Sequence, residues 1–231
     1  MKYAGGRCCR GASLASAVIA FFLWTCVLLA DAPAKDLDSI AKAVDARYNH
    51  LRTLQADFVE TYSGAGAERS ESGTLLLKKP GKMRWEYRSP KVKVFVSDGK
   101  QAWFVIPEEK QARKIAARQL DDLRSPLAFL LGNSRLQKEI KGLSFASDIK
   151  PLATEDTVLR GVPVGMEDHI SEIILEITPG DQISRISLEG TDGSDTEYRF
   201  SNQKENPRVP DQEFRFVPPP GFETIEGDFT Q

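Results

Sequence analysis

Where the chain first turns polar, apolar side chains recur every three or four positions. Leu37, Ile40, Ala41, Val44, Tyr48 and Leu51 fall on one face, which predicts an amphipathic helix over residues 36–51. Asp36 or Asp38 can cap its start. The period then drops to two. Residues 54–62 read as a strand ended by Gly64-Ala65-Gly66, and 73–79 as a second, stopped by Pro80-Gly81. In a third, Met83, Trp85 and Tyr87 alternate with Arg84, Glu86 and Arg88. Strands over 92–97 and 102–106 flank Asp98-Gly99, a strong hairpin signal, and 114–116 offers a short sixth. Helical spacing returns at Leu120, Leu123, Leu127, Leu130 and Leu131, with a kink or break at Pro126. A loop-rich stretch follows. Strands resume over 170–178, 182–190 and 197–202, and Phe214 and Phe216 mark a last short strand before Pro218-Pro219-Pro220-Gly221. This order predicts one α+β domain: a long antiparallel sheet with helices at the start and in the middle.

Ahead of that domain lies a different pattern. Lys2, Arg7 and Arg10 precede 19 uncharged residues, 12–30, and Asp31-Ala32-Pro33-Ala34 closes the stretch. A basic start, an apolar middle and an A-x-A end are the parts of a secretory signal peptide, so residues 1–34 are expected to be removed after Ala34, leaving 35–231. The apolar run is long enough to anchor if it is retained. Leu23-Trp24-Thr25-Cys26 has the outline of a lipidation site, with unsuitable residues before the cysteine. All three cysteines, Cys8, Cys9 and Cys26, lie in this leader. The remainder can therefore form no disulfide, thiolate metal site or cysteine nucleophile.

Composition narrows the class. Among 231 residues, 41% are hydrophobic and 28% charged, with a net charge of -2, which excludes a disordered tail, a collagen-like fibre and a multi-span membrane protein. The charge is unevenly placed: residues 35–141 carry a net +7 and residues 142–231 a net -11. Either the molecule docks in a fixed orientation on something charged, or its two halves pair with each other. The densest basic stretch, Lys78 to Lys93, interleaves Trp85 and Tyr87. Period two puts rings and charges on opposite faces, so they form no base-stacking groove, and no nucleic-acid partner is expected.

Catalytic signatures are missing. His50 sits at a helix end and His169 in a charged loop, and there is no H-E-x-x-H, G-x-S-x-G or phosphate-cradling glycine loop. Gly142-Leu143-Ser144-Phe145-Ala146 lacks the second glycine of a nucleophile elbow. Neighbouring acidic residues such as Glu108-Glu109 and Glu167-Asp168 point apart and make no carboxylate dyad. The sequence speaks against an enzyme. What remains is a sheet with a strongly apolar face and an apolar helix, which could enclose a greasy cavity or fill a closed core.

Several stretches resemble the LolA family of periplasmic outer-membrane lipoprotein carriers. They are Leu54-Gln55-Ala56-Asp57-Phe58 after the first helix, the run from Lys78 to Tyr87 with Pro80 and Trp85, Ser97-Asp98-Gly99-Lys100 with Trp103-Phe104, Ser125 to Leu131, and Phe214-Arg215-Phe216 with Pro219-Pro220-Gly221. Together they span nearly the whole chain after the leader, in the family's order. The resemblance implies an open, incomplete antiparallel β-barrel, a half-barrel with a helical lid, whose cavity takes lipoprotein acyl chains. It implies a periplasmic monomer without cofactor or nucleotide. Cargo would come from an inner-membrane lipoprotein-releasing transporter and pass to an outer-membrane acceptor. By the same resemblance Met83, Trp85 and Phe95 take cavity-side positions, with Phe58, Leu127, Phe129 and Leu130 completing the lining. One position departs. The family often has arginine before the strand-turn proline, reaching the lid backbone as a latch; here it is Lys79, which donates but has no planar fork. Related half-barrels serve as envelope sensor domains, a reading that a retained leader would favour. Carriage of another lipid also stays open.

Overall fold

A computed structural model of the chain describes residues 36–116 and 135–226. Leu127, Phe129 and Leu130 lie outside the described residues, as does the leader. Helix α1 (Leu37–His50) follows its cap Asp36, whose carboxylate accepts from the Ser39 N–H at 2.8 Å. A meander then runs through β1 (Thr53–Gly64), β2 (Ala67–Lys78), β3 (Lys82–Ser89), β4 (Lys93–Asp98), β5 (Gln101–Ile106) and β6 (Gln111–Ala116). The chain continues with the single turn α2 (Leu136–Glu139) into β7 (Ile140–Phe145), β8 (Thr157–Pro163), β9 (Ile170–Ile177), β10 (Ile183–Gly190) and β11 (Asp195–Glu205). A short β12 (Glu223–Glu226) ends it.

The twelve described strands form one sheet in the order β12-β6-β5-β4-β3-β2-β1-β11-β10-β9-β8-β7. Only β12 pairs in parallel, with β6. The end strands β7 and β12 do not pair with each other, so this is the unclosed, mostly antiparallel barrel of the α+β expectation. β1 joins the two meanders, pairing with β2 along all twelve residues and with β11 on its other edge. Ala65 and Gly66 make the tight turn between β1 and β2, both at positive φ (49° and 76°), which suits a two-residue hairpin.

Helix α1 lies on one face of the sheet. Ile40, Ala41, Val44 and Tyr48 pack there with Leu54, Leu75, Leu77, Leu159, Leu175, Ile183 and Ile186 in one continuous core. The Tyr48 hydroxyl accepts from the Ile183 N–H at 2.9 Å, and burial pushes the phenol up to about 12. Arg47 pairs with Glu205.

Among the described residues, the opposite, outer face is covered by extended chain rather than by a helix. After β11 the backbone turns back along β2 and β3. Asp211 binds both Lys78 and Lys82 at 2.7 Å, and these two cations hold its carboxyl down to about 2. Farther on, Phe216 and Phe222 pack against Val96, Trp103, Val105 and Ala112. Phe214 is buried in a 3-10 turn, Asp211–Phe214, so the short strand expected at Phe214 and Phe216 is replaced by this turn and extended chain. Residues 146–156 shield a buried ion pair, Glu176 with Arg185 at 2.6 Å, and the Leu152 N–H donates to Glu176 at 2.5 Å. Part of the charge asymmetry is thus spent inside the molecule, since Lys78 and Lys82 of the basic half face Asp211 of the acidic half.

Two further differences from the sequence reading stand out. β2 begins at Ala67 rather than near Gly73, because Ala67 to Ser72 pair with β1 while carrying no apolar face. The supposed loop after residue 135 contains β7 and β8. Gly142, in the imperfect elbow motif, sits at positive φ (68°) on β7, where the register with β8 shifts. Among the described residues no helix is long and apolar enough to cross a membrane.

Removing one partner of a buried ion pair is costly, and Arg185 without Glu176 keeps only the longer contact to Glu197 at 3.4 Å as an ion pair. Glu176→Ala is expected to lower stability by about 3 kcal/mol in urea unfolding. Glu176→Leu with Arg185→Leu should lose less than the single change.

Candidate functional site: the inner aromatic face

The strand registers place side chains in rows on the face that α1 partly covers. One row runs Phe200, Phe58, Gly73, Tyr87 and Lys93 across β11, β1, β2, β3 and β4. The next runs Ala56, Leu75, Trp85, Phe95 and Phe104 from β1 to β5. Met83 stands opposite Leu77, one row deeper. Of the residues expected to line a cavity, Phe58, Met83, Trp85 and Phe95 therefore share this inner face. Phe58 and Trp85 are buried, at 2% and 3% exposed, whereas Met83 and Phe95 are half-buried against the core.

Gly73 makes this arrangement possible. It lies between Phe58 and Tyr87 on neighbouring strands and puts no side chain between them. The two rings meet there edge to face, centroids 5.0 Å apart. Trp85 tilts against Phe58 at 4.5 Å and meets Tyr198 edge-on at 5.8 Å, and Tyr198 stacks on Phe200 at 6.5 Å. A Cβ at position 73 would collide with the Glu86 carbonyl of β3, so no larger residue fits without moving that strand.

Burial falls along β1 from Leu54 toward the hairpin tip, and polar groups appear as it falls. Glu60 follows Phe58 on the same face. The Tyr87 hydroxyl donates to its carboxylate at 2.7 Å. Directly across the ladder stands Glu71, both of whose oxygens accept from Lys93, at 2.6 and 2.7 Å. Lys93 also lies over the Tyr87 ring, 4.4 Å from its centroid. Burial raises the Glu60 pKa, and the Glu71 charge adds to this, while the Tyr87 hydrogen bond, Lys93 and Arg69 oppose it. Burial first and Glu60 second push the Tyr87 and Tyr198 phenols up.

Lys79, the expected lid latch, has its described bonds with α1. Its ammonium donates to the carbonyls of Tyr48 at 2.7 Å and Asn49 at 3.0 Å, satisfying the C-terminal end of the helix. Burial lowers its pKa.

The family model described as outer membrane lipoprotein carrier protein LolA matches residues 49–217, which contain the whole of this inner face. The chain belongs to the LolA family. Members of that family are carriers rather than enzymes. Among LolA relatives, the outer-membrane lipoprotein carrier protein of Chromobacterium violaceum is 31% identical over 77% of this chain and 82% of its own length. That of Dechloromonas aromatica is 32% identical over 80% and 88%. An uncharacterized conserved protein from Thermus thermophilus, solved by crystallography, has a TM-score of 0.53 at 13% identity, covering 81% of this chain and 97% of its own. This last likeness is one of fold.

The linked signs give a test of the polar end. A carboxyl whose folded pKa is raised holds its proton longer in the native state, so stability falls as pH rises through the window above its ordinary value near 4.3. Glu60→Gln has no such loss. Its melting temperature is expected to match that of the parent at pH 3.5 and to exceed it by a margin that grows toward pH 7, read by differential scanning calorimetry.

Proposed function

We propose that this LolA-family protein is a periplasmic carrier that shields lipoprotein acyl chains on its inner aromatic face. On this reading it takes cargo from a releasing transporter in the inner membrane and gives it to an acceptor at the outer membrane. The observation that carries the reading is the pair of aromatic rows on the inner side of a sheet that does not close. Each methylene withdrawn from water is worth roughly 0.8 kcal/mol, so an acylated protein cannot cross an aqueous compartment with its chains bare. Rings and Met83 offer a surface that adapts to a flexible chain, and no nucleotide or cofactor is needed to hold it. An unclosed sheet lets two opposed walls part without breaking a ladder hydrogen bond. The reading includes removal of residues 1–34 after Ala34, and closure over the chains by the segment that holds Leu127, Phe129 and Leu130.

Two measurements test it. Native mass spectrometry of the exported protein should show an acylated species that organic extraction removes; empty protein that also refuses a fluorescent lipid would overturn the reading. Met83→Glu places a charge on the half-buried inner wall. It should keep the parent's circular dichroism spectrum and lose uptake of the fluorescent lipid by at least about tenfold, the equivalent of roughly two methylene contacts. Unchanged uptake would remove Met83 from the binding surface.

A further inference from the structure

Sulfur is scarce in this chain beyond the leader. Residues 35–231 contain no cysteine and two methionines, Met83 and Met166. In an oxidising compartment such a chain has its thioethers as its sulfur chemistry. The two methionines have different settings. Met166 lies in the turn between β8 and β9, where its carbonyl accepts from the His169 and Ile170 N–H groups at 2.9 and 2.8 Å. Met83 stands on the inner face, half-buried against the core, on the same side of β3 as Trp85. Peroxide is small and neutral, so a half-buried thioether lies within its reach.

The neighbours of Met83 across the ladder decide what oxidation does there. Its partner on β2 is Leu77, 2% exposed, which offers no hydrogen-bond donor. Its partner on β4 is Ser97, also 2% exposed. That hydroxyl donates to the Gly81 carbonyl at 3.5 Å and accepts from the Gly99 N–H at 3.2 Å, so its one proton is committed. A sulfoxide at position 83 therefore sets a strong acceptor between an alkyl side chain and an engaged hydroxyl. An acceptor left unpaired in such a place is costly to cover with anything apolar.

We propose that Met83 is a reversible oxidation site for peroxides, and that its sulfoxide switches off acyl-chain binding on the inner face. The inference rests on the acyl-chain reading above and adds a means of regulating that surface. The thioether sulfur attacks one peroxide oxygen. The O–O bond breaks, an S–O bond forms and water leaves, so sulfur gives up the two electrons that the peroxide gains. The product is polar and chiral where the original side chain was apolar and flexible. Methionine sulfoxide reductases reverse the step: the oxygen leaves as water while two thiols close to a disulfide.

The test exposes the exported protein to hydrogen peroxide and reads oxygen addition at each methionine by peptide mass spectrometry. Uptake of a fluorescent lipid is measured before and after, and the result is the ratio of the two within each protein. In the parent, uptake should fall by on the order of tenfold as Met83 becomes oxidised. The circular dichroism spectrum should be retained, and the two reductases, one for each sulfoxide epimer, should restore uptake. Met166→Leu should show the same fall. Met83→Leu, whatever its starting uptake, should keep it through peroxide. Lipid bound beforehand should slow oxygen addition at Met83 and leave the rate at Met166 unchanged. Resistance of Met83 to peroxide, full oxidation with unchanged uptake, an equal fall in Met83→Leu, or no recovery with the reductases overturns the switch alone. So does loss of the dichroism spectrum together with uptake, or lipid that fails to protect Met83. A parent that takes up no lipid before peroxide overturns the acyl-chain reading, and this inference with it.

Discussion

A sheet that does not close on itself must cover two faces and protect two edges by other means, and this requirement organises the molecule. The outer face is covered by backbone: the returning segment after β11 on one side and residues 146–156 on the other. α1 covers part of the inner face, held at its C-terminal end by Lys79 and by Tyr48. The edges are short strands, β12 of four residues and β7 interrupted by a register shift at Gly142, features that limit pairing with other chains. What is left half-buried on the inner side, among the described residues, includes Met83, Phe95 and the polar end of the ring rows. Among the described residues, the inner surface that stays half-buried is therefore the part of the fold that the covering elements do not claim.

The ring surface and its polar margin are parts of one gradient. Along β1 the inward side chains run Leu54, Ala56, Phe58, Glu60 and Tyr62, from fully buried to half-buried. Apolar contact dominates at one end and charge at the other, so the strand itself gives the face a direction. Gly73 matters at the crossover. By leaving the middle of β2 bare, it lets Phe58 and Tyr87 touch, and Tyr87 in turn places its hydroxyl on Glu60.

Much of this was legible in the sequence where alternation and turn chemistry agreed. A helix cap at Asp36 or Asp38, found at Asp36, a turn within Gly64-Ala65-Gly66, the hairpin at Asp98-Gly99, and the shared face of Met83 and Trp85 follow from period and punctuation. The missed elements share a cause. The outer half of β2 and most of β7 are exposed, so they carry no apolar alternation for a pattern to register. Phe214 and Phe216 alternate like a strand, yet their burial comes from lying against the sheet, without a ladder partner. Glu60, Glu71 and Lys93 come from three strands, and only the register brings them together. Glu60 did leave a trace, as the charged residue that breaks an apolar series on β1. Lys79 drew notice only through the family resemblance, as a cation expected on lid backbone, and its described partners are carbonyls of α1.

The position of β1 has a consequence for how the molecule is made. Its first edge can be paired as soon as the adjoining hairpin has formed, because Gly64 and Ala67 are neighbours in the ladder. Its second edge waits for β11, whose partner for Leu54 is Glu205. Until that residue has emerged from synthesis or from a translocation channel, this twelve-residue strand keeps one bare side and the two meanders remain unjoined. Contacts this distant in sequence form late and slowly. The nascent chain thus stays open through most of its length, and the sheet is completed only when nearly all of it has arrived on the same side of the membrane.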